Sequence, residues 1–373
     1  MVETVLIDRS NSEGVTKLPA ARTYEGIQCL RLVAALMVVF VHSSFYASER
    51  LVPGFPVWAR GTSGVDIFFV ISGFVMFYTY PKIRDKSLAA LEFFSRRIIR
   101  IVPAYWAVTS IKIIVMLIIP GAALHAELGN WDFIAKSYFF IPSYNMDGRI
   151  EPMLGVGWTL LFEMFFYLVF SIALLFRFNP LWFCSVVLVP LAVLSIYRQP
   201  GWPAASLYLS PLLLEFLIGM LIAKVADKVS IWPWLAIGGV VSGLFVLTIV
   251  PAAEGLLGHF FVNALPAGVL VLSVVALERH IQGRVPSAVL LLGAASYSLY
   301  LIHPIVAPAV PQVLAKLGIY LPWVSIFGSV LAALIAAAMM YLVFEKPLTS
   351  KLSRWLTTWL SELRSASNKE RLS

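Results

Sequence analysis

Arg31 and His42 lie eleven residues apart inside the first long apolar stretch of the chain, residues 27–47. Eleven residues of α-helix turn through about 1100°, only about 20° past three full turns, and rise about 16 Å. The two side chains are therefore expected on one face of one helix. Titratable groups inside a bilayer are costly and usually mark function. The spacing would suit a long, thin substrate with an anionic head, and a neutral imidazole can take a proton from a hydroxyl group near neutral pH.

Two acidic residues could assist His42 in catalysis. Asp66 opens the second apolar stretch at about the depth of His42. It is expected either to orient the imidazole through a hydrogen bond or to complement the dipole of its own helix. Glu163 lies in the middle of a later span, with Tyr167 one turn further along the same face. Glu163 is expected to act as a base or as a polar wall of the site, unless an internal ion pair neutralises it.

Arginines cluster where the third apolar stretch begins. Arg96, Arg97 and Arg100 precede it and Tyr105 follows. Arg97 and Arg100 would share a helical face, and guanidinium groups match phosphate oxygens better than ammonium groups do. The alternative is that the cluster only marks the cytoplasmic side of the membrane. We predict that the arginine cluster binds phosphate groups of a cofactor, and that Arg31 and Tyr105 belong to the same cofactor-binding site.

A polar stripe follows one face of the ninth span. Ser296, Tyr300 and His303 stand at positions i, i+4 and i+7 of a helix, so they could line a substrate path or bridge neighbouring helices. We predict that these three residues bind the substrate together with Trp158 and Tyr167.

The composition indicates which class of protein must position these groups. Of 373 residues, 60% are hydrophobic and only 13% are charged, which excludes an ordinary soluble domain and is typical of an all-α, polytopic membrane bundle. Strands of the outer-membrane barrel type are not indicated. The net charge of +8 is attributed to basic cytoplasmic loops and not to nucleic-acid binding. Cys29 and Cys184 lie in apolar stretches, and no metal-ligand spacing is evident, so no metal is expected.

Ten transmembrane helices are predicted from the apolar windows. If the N-terminus is cytoplasmic, 20 of the 28 Lys and Arg residues fall in cytoplasmic segments, six fall outside and two lie within spans, which predicts that both termini are cytoplasmic. The first 26 residues lack an apolar signal core, so the first span is expected to act as the insertion signal. The predicted domains are a cytoplasmic tail, a transmembrane domain and an amphipathic tail, at 1–24, 25–347 and 348–373. The predicted spans lie near 27–47, 63–80, 101–119, 153–176, 181–197, 205–223, 231–250, 257–276, 288–310 and 321–344.

Six sequence blocks, in this order, resemble the acyltransferase-3 family of integral membrane acyltransferases. The blocks are Arg31–x10–His42, 61-GTSGVDIFFVISGF-74, 96-RRIIRIVPAYW-106, 157-GWTLLFEMFFY-167, 296-SYSLYLIHP-304 and 345-EKP-347. The resemblance implies a ten-helix bundle that moves an acyl group, usually acetyl from acetyl-CoA, onto a carbohydrate hydroxyl. It also implies His42 as the catalytic base and arginines near the CoA. The family often doubles the glutamate of the tryptophan block, whereas this chain has Met164 after Glu163.

The resemblance implies a standalone exopolysaccharide O-acetyltransferase, without the fused hydrolase-like domain of many relatives. We therefore expect an enzyme of a bacterial inner membrane that uses acyl-CoA, a carbohydrate acceptor and no metal or nucleic acid. Direct transfer and an acyl-histidine intermediate are both open. The alternatives are a polysaccharide or lipid transporter and a membrane sensor. The acyl group, the acceptor sugar and the oligomeric state do not follow from the sequence.

Overall fold

The computed structural model describes residues 24–86, 88–119 and 128–372, with side chains to residue 365, and this part of the chain is mostly helical. Within these residues there is no strand, only one isolated antiparallel bridge between Tyr144 and Ile150. The helices are α1 Glu25–Arg50, α2 Gly64–Thr79, α3 Ala89–Ile118, α4 Trp131–Tyr138, α5 Trp158–Leu175, α6 Pro180–Leu194, α7 Leu213–Val225, α8 Pro233–Ile249, α9 Gly255–His259, α10 Leu265–Ile281, α11 Ser287–Ala294, α12 Ser296–Val306, α13 Ala309–Lys316, α14 Pro322–Met340 and α15 Lys346–Leu372.

Nine helical segments of the described chain are long and apolar enough to cross a membrane, and α8 is a shorter apolar helix at the seventh predicted span, 231–250. The all-α, polytopic bundle is thereby confirmed. The side of the membrane on which each end lies stays a prediction, and the tail predicted at residues 1–24 lies outside the described residues except for Tyr24. The nine segments are Glu25–Arg50, Ala59–Lys82, Ala89–Ile118, Gly155–Leu175, Pro180–Tyr197, Ala204–Val225, Gly255–Ile281, Ser296–Lys316 and Pro322–Ser365.

Helix α3 is longer than the sequence analysis predicted. It begins at Ala89, whereas the predicted span began at residue 101, and it runs for 30 residues. At 1.5 Å per residue it is about 45 Å long, which exceeds a hydrocarbon core of about 30 Å. Its first turns can therefore extend past the apolar layer, and they carry Arg96, Arg97 and Arg100 on a continuous helix.

The ninth predicted span, residues 288–310, is interrupted. Helix α11 ends at Ala294 and α12 begins at Ser296, because the backbone of Ala295 (φ −78°, ψ 0°) departs from helical geometry. Pro308 caps the start of α13, where a helix tolerates a residue without an N–H group. The break changes the direction of the chain just before the polar stripe that starts at Ser296.

Close contact between α2 and α7 organises the centre of the bundle. A Cβ atom at Gly73 would collide with the backbone oxygen of Phe216, and one at Gly219 would collide with the backbone oxygen of Val70. Only glycine lets the two backbones approach this closely. The crossing fixes which residues near the start of each helix face one another.

Stacked aromatic rings join α5 to this crossing. The ring of Phe216 lies 4.7 Å from that of Phe69 and 4.4 Å from that of Phe166. Offset stacks of this kind contribute about 0.5–1.5 kcal/mol beyond the area they bury. The stack sets the position of α5, which carries Glu163.

The C-terminal helix packs against α3. Helix α14 passes through a π-helical turn, Tyr341–Glu345, directly into α15. Leu356 and Leu360 are buried, and Arg364 Nη2 donates to Glu92 Oε2 of α3 at 2.6 Å. This helix corresponds to the predicted amphipathic tail, and its location on the membrane surface stays a prediction.

Candidate active site

A cavity of about 510 Å³ lies among α1, α2, α3, α5 and α12. Along α2 its wall runs from Val65 to Thr79, about 21 Å of helix. The basic side chains lie towards one end of the cavity. Tyr24, at the start of α1, and Thr79, at the end of α2, mark this end. The polar side chains that line the cavity are Tyr24, Gln28, Arg31, Ser72, Tyr78, Thr79, Lys82, Lys86, Glu92, Arg96, Arg97, Arg100, Thr159, Glu163, Tyr167, Ser296, Tyr297 and Tyr300.

Arg31, Arg97 and Arg100 carry the positive charge of the inner wall. In the described part of the chain none of them forms an ion pair, and Arg31 and Arg100 lie close enough to repel each other. The guanidinium carbon of Arg97 lies 5.5 Å from the ring centroid of Phe93 and 5.9 Å from that of Tyr167. Its Nε atom is buried and has no hydrogen-bond partner among the described residues. Unpaired cations in a buried wall favour an anionic ligand.

Glu163 is hydrogen-bonded within the cavity wall. It accepts hydrogen bonds from Ser72 Oγ at 3.2 Å and from Tyr167 Oη, which brings together the two residues that the helical spacing placed on one face. It attracts Arg31 and Arg97 without contacting either in an ion pair. Glu163 therefore contributes a negative charge to the wall while the arginines keep their donors available.

The cavity mouth has a different arrangement of charges. The carboxylate of Glu92 is buried and accepts hydrogen bonds from Lys86 Nζ at 2.8 Å, from Arg96 Nη2 at 3.2 Å and from Arg364 Nη2 at 2.6 Å. One carboxylate thus faces three cations, so the net charge of these four side chains at the cavity mouth is positive. Arg96 lines the cavity as predicted, but unlike Arg97 it has a carboxylate partner.

Hydroxyl groups occupy the other end of the cavity. Tyr300 Oη donates to the backbone oxygen of Val156 at 2.9 Å and lies 2.9 Å from Thr159 Oγ1. Ser296 is fully buried, and its Oγ has no hydrogen-bond partner among the described residues. Ser296 therefore offers a free donor to a ligand in the cavity, whereas Tyr300 is already held.

His42 and His303 form a pair beyond this end. His42 Nδ1 lies 2.9 Å from the backbone oxygen of Val38 and 3.2 Å from His303 Nε2. His303 Nδ1 lies 3.0 Å from the backbone oxygen of Leu299. Because a carbonyl oxygen only accepts, both Nδ1 atoms carry the hydrogen, and His303 Nε2 accepts from His42. Nε2 of His42 then keeps its lone pair, and no described residue donates to it.

Tyr300 separates the cavity from the histidine pair. Neither His42 nor His303 is among the described residues that line the cavity. The Tyr300 ring lies 5.9 Å from the His303 ring and 6.0 Å from that of Phe68, which does line the cavity. The Tyr300 ring thus lies between the arginine-lined cavity and the His42–His303 pair.

Comparison with known proteins agrees with this geometry. The profile of the acyltransferase-3 family, described as an acyltransferase domain, matches residues 24–342. The chain belongs to this acyltransferase family.

Three curated relatives show how far the similarity to individual members of the acyltransferase family extends. The exopolysaccharide production protein ExoZ of Rhizobium meliloti is 35% identical over 315 residues, which cover 82% of this chain and 93% of the relative. Acyltransferase MdmB of Streptomyces mycarofaciens is 26% identical over 371 residues, 87% of this chain and 91% of the relative. O-acetyltransferase OatA of Staphylococcus aureus is 25% identical over 189 residues, 47% of this chain and 29% of the relative. No solved structure gives a significant match.

Of the two alternatives predicted for Asp66 of this acyltransferase, the contact with His42 is not formed, and Asp66 lies in the first turn of α2. Asp66 Oδ2 accepts a hydrogen bond from Asn263 Nδ2 at 3.0 Å, and Asp66 Oδ1 lies 3.4 Å from His259 Nε2. Among the described residues its contacts are with these groups and with Glu215, not with His42. The close crossing of α2 and α7 turns this face of α2 away from the histidine pair.

Tyr105 and Trp158 do not line the cavity in the described structure. Tyr105 is buried and its Oη donates to the backbone oxygen of Ser137 at 3.0 Å, while the Trp158 ring packs 5.9 Å from that of Phe162. Tyr105 is five residues after Arg100, so it points about 140° away around the helix. The predicted roles of Tyr105 in cofactor binding and of Trp158 in substrate binding have no support in this geometry.

Three of the polar residues that line the cavity without having been predicted as site residues are Ser72, Thr159 and Tyr297. Ser72 of α2 donates to Glu163 of α5, and spacing within one helix could not indicate this contact. Thr159 stands one turn before Glu163, and this i, i+4 spacing could have identified it. Tyr297 Oη donates to the backbone oxygen of Ile101 at 2.9 Å, which ties α12 to α3, and no spacing in the sequence indicated that contact.

Proposed function

We propose that this acyltransferase takes an acyl group from acyl-CoA, acetyl in the simplest case, and transfers it to a hydroxyl group of a cell-surface polysaccharide or its lipid-linked precursor. The observation that carries the proposal is a set of three arginines, Arg31, Arg97 and Arg100, that form no ion pair with any described residue. They line a cavity that ends beside the His42–His303 pair. Phosphate groups are the anions that arginine clusters recognise most strongly. CoA combines such phosphates with a thin arm and a terminal thioester.

The names of two relatives support the acceptor. ExoZ is an exopolysaccharide production protein, and OatA is an O-acetyltransferase. The first covers most of this chain and the second matches less than half of it. A carbohydrate hydroxyl as acceptor is the chemistry that accommodates both names.

The donor would enter at the mouth formed by Lys86 and Arg96, on the predicted cytoplasmic side of a bacterial inner membrane. Its phosphates would bind Arg97 and Arg100, and its arm would follow α1 from Arg31. Arg31 and His42 are separated by about 16 Å of helix rise. Movement of Tyr300 would then admit the thioester to the histidine pair.

His42 Nε2 would act as the general base. It takes the proton of the acceptor hydroxyl as the hydroxyl oxygen attacks the thioester carbonyl carbon; the new C–O bond forms, the C–S bond breaks, and the imidazolium returns the proton to the departing thiolate. His303 accepts from His42 Nδ1 and so keeps the lone pair on Nε2. Tyr300, once displaced from the Val156 carbonyl, and Ser296 are the donors available to the developing oxyanion.

A binding experiment tests the donor site. In detergent-solubilised protein, Arg97→Ala and Arg100→Ala should each weaken CoA binding, measured by calorimetry, by roughly 10- to 100-fold, because each removes charge-assisted hydrogen bonds to phosphate. The loss of affinity with added salt should be shallower in both variants than in the wild type. Arg279→Ala removes an exposed arginine of α10 and should leave CoA binding unchanged. Equal CoA affinity in the wild type and all three variants would mean that the arginine cluster only marks the cytoplasmic side of the membrane.

A transfer experiment separates an enzyme from a transporter. Purified protein should consume acetyl-CoA and acylate an added glycan, as measured by mass spectrometry. His42→Ala should bind CoA normally and lose transfer. Movement of glycan across vesicles without consumption of the thioester, or near-normal turnover by His42→Ala, would contradict the proposal.

A further inference from the structure

Three acid and imidazole side chains meet at a second location, away from the cavity. Asp66 from the first turn of α2, Glu215 from the first turn of α7 and His259 at the end of α9 bring one ligand atom each to within 4.8 Å of the others. None of them lines the cavity among the described residues. From this cluster we infer a binding site for one divalent transition-metal ion, of the Zn²⁺ or Mn²⁺ type.

The helix crossing explains why the two carboxylates face each other. Asp66 and Val70 lie one turn apart on α2, and Glu215 and Gly219 lie one turn apart on α7. Since Gly219 contacts the backbone of Val70, the preceding turns of the two helices meet at Asp66 and Glu215. Both carboxylates are buried, Glu215 completely. Two buried carboxylates in contact require a shared proton or a cation.

The hydrogen bonds of the cluster leave two carboxylate oxygens unsatisfied. His259 Nε2 lies 2.8 Å from Glu215 Oε1 and 3.4 Å from Asp66 Oδ1, and one ring nitrogen can donate only one hydrogen. Asp66 Oδ1 and Glu215 Oε2 are buried and have no hydrogen-bond partner among the described residues. Asp66 Oδ1 faces the imidazole nitrogen, so an unpaired lone pair points into the centre of the cluster.

The distances fit a metal ion. Ligand atoms about 2.1 Å from a tetrahedral ion are separated from one another by about 3.4 Å. The His259–Asp66 distance of 3.4 Å already has this value, and the His259–Glu215 distance of 2.8 Å would need to widen by about 0.6 Å. Two carboxylates and one imidazole suit first-row divalent ions and would leave a coordination position for water.

Outer groups hold the proposed ligands in place. Asn263 Nδ2 donates to the other oxygen of Asp66 at 3.0 Å, and Arg60 Nη1 donates to Asn263 Oδ1 at 3.4 Å. His259 precedes a π-helical turn, Phe260–Ala264, and Asn263 lies within that turn. Such turns are rare in proteins overall but common at functional sites. Hydrogen bonds to a ligating carboxylate orient it towards the ion. Bound metal would join α2, α7 and the segment that leads into α10.

Metal analysis of the full-length protein in detergent tests the inference. After chelation and dialysis, titration with Zn²⁺ or with Mn²⁺ should show about one saturable equivalent per chain for at least one ion, with thermal unfolding shifted upwards by a few degrees on binding. Glu215→Gln and His259→Gln should each lose the saturable site. The exposed residues Glu254 and His280 provide matched controls, because Glu254→Gln and His280→Gln should bind the ion as the wild type does.

The wild type alone can refute the site. If it binds neither ion saturably at micromolar concentrations and its thermal unfolding is unchanged by chelation and re-addition of metal, Asp66 and Glu215 share a proton instead. Equal metal binding in the wild type, Glu215→Gln and His259→Gln would also overturn the inference. CoA affinity and transfer are measured separately, so failure of this site leaves the proposed function intact.

Discussion

Replacing His303 tests whether this residue positions the base or is itself a base. In the structure, His303 Nε2 accepts one hydrogen bond from His42 Nδ1 at 3.2 Å, and the Val38 carbonyl competes for the same hydrogen at 2.9 Å. A net hydrogen bond of this kind is worth about 0.5–1.5 kcal/mol, which corresponds to roughly 2- to 13-fold in rate. His303→Leu should therefore lower kcat by about 2- to 10-fold with little change in KM for acetyl-CoA. His42→Ala should lower kcat by about 100- to 10,000-fold, the usual contribution of a general base.

The assay is thiol release from acetyl-CoA in the presence of a glycan acceptor, followed by mass spectrometry of the product. His303→Gln supplies a control, because a carboxamide oxygen can accept the hydrogen from His42 and should recover most of the rate lost in His303→Leu. If His303→Leu loses as much activity as His42→Ala, His303 takes part in proton transfer and the assignment of the base to His42 Nε2 is wrong. Full activity of His303→Leu would show that the Val38 carbonyl alone fixes the tautomer.

Three further substitutions test the cavity wall, a corrected assignment and the helix crossing. Glu163→Gln removes a negative charge from a cationic wall, an effect of about 1 kcal/mol. It should therefore tighten CoA binding, measured by calorimetry, by roughly fivefold. Weaker binding would mean that the carboxylate contacts the donor. Tyr105→Phe should lower the free energy of unfolding by about 1–2 kcal/mol, because the hydrogen bond to Ser137 is lost. It should leave KM for acetyl-CoA unchanged. A raised KM would support the predicted role of Tyr105 in cofactor binding. Gly219→Ala should destabilise the protein by about 1–3 kcal/mol. The control Gly238→Ala should not, because its added carbon would meet nothing within 4 Å. Equal melting temperatures of the two variants would contradict the close crossing of α2 and α7.

The sequence predicted the fold because a bilayer constrains it. Apolar windows marked ten spans. In the described chain nine of these windows overlap helical segments long enough to cross a membrane, and the shorter helix α8 lies at the seventh window. The contact between Glu163 and Tyr167 followed from spacing within one helix. Predictions of this kind need only the geometry of a single helix, which is fixed by 3.6 residues per turn.

The errors came from contacts between helices. Asp66 was placed at a suitable depth, but its neighbour is decided by the glycines that let α7 approach α2, and the sequence does not state which helices are adjacent. For the same reason the cluster of Asp66, Glu215 and His259 was missed, since Glu215 and His259 are 44 residues apart. The break at Ala295 was missed because an alanine inside an apolar run gives no signal of a helix end.

The separation of the cationic cavity from the base has a chemical consequence. A thioester held next to a general base and water would be hydrolysed, so an acyltransferase must keep the base from activating water while the donor waits for an acceptor. Tyr300 supplies this separation, because its hydroxyl is tied to the Val156 carbonyl and lies against Thr159. In the proposed scheme the donor would be bound by charge in one compartment, and the reaction would require a movement that brings the thioester to His42. In this scheme Arg31 and His42 share a helix face because they act one after the other along the path of the donor. Tyr300 lies between them, and its movement determines when the thioester can reach His42.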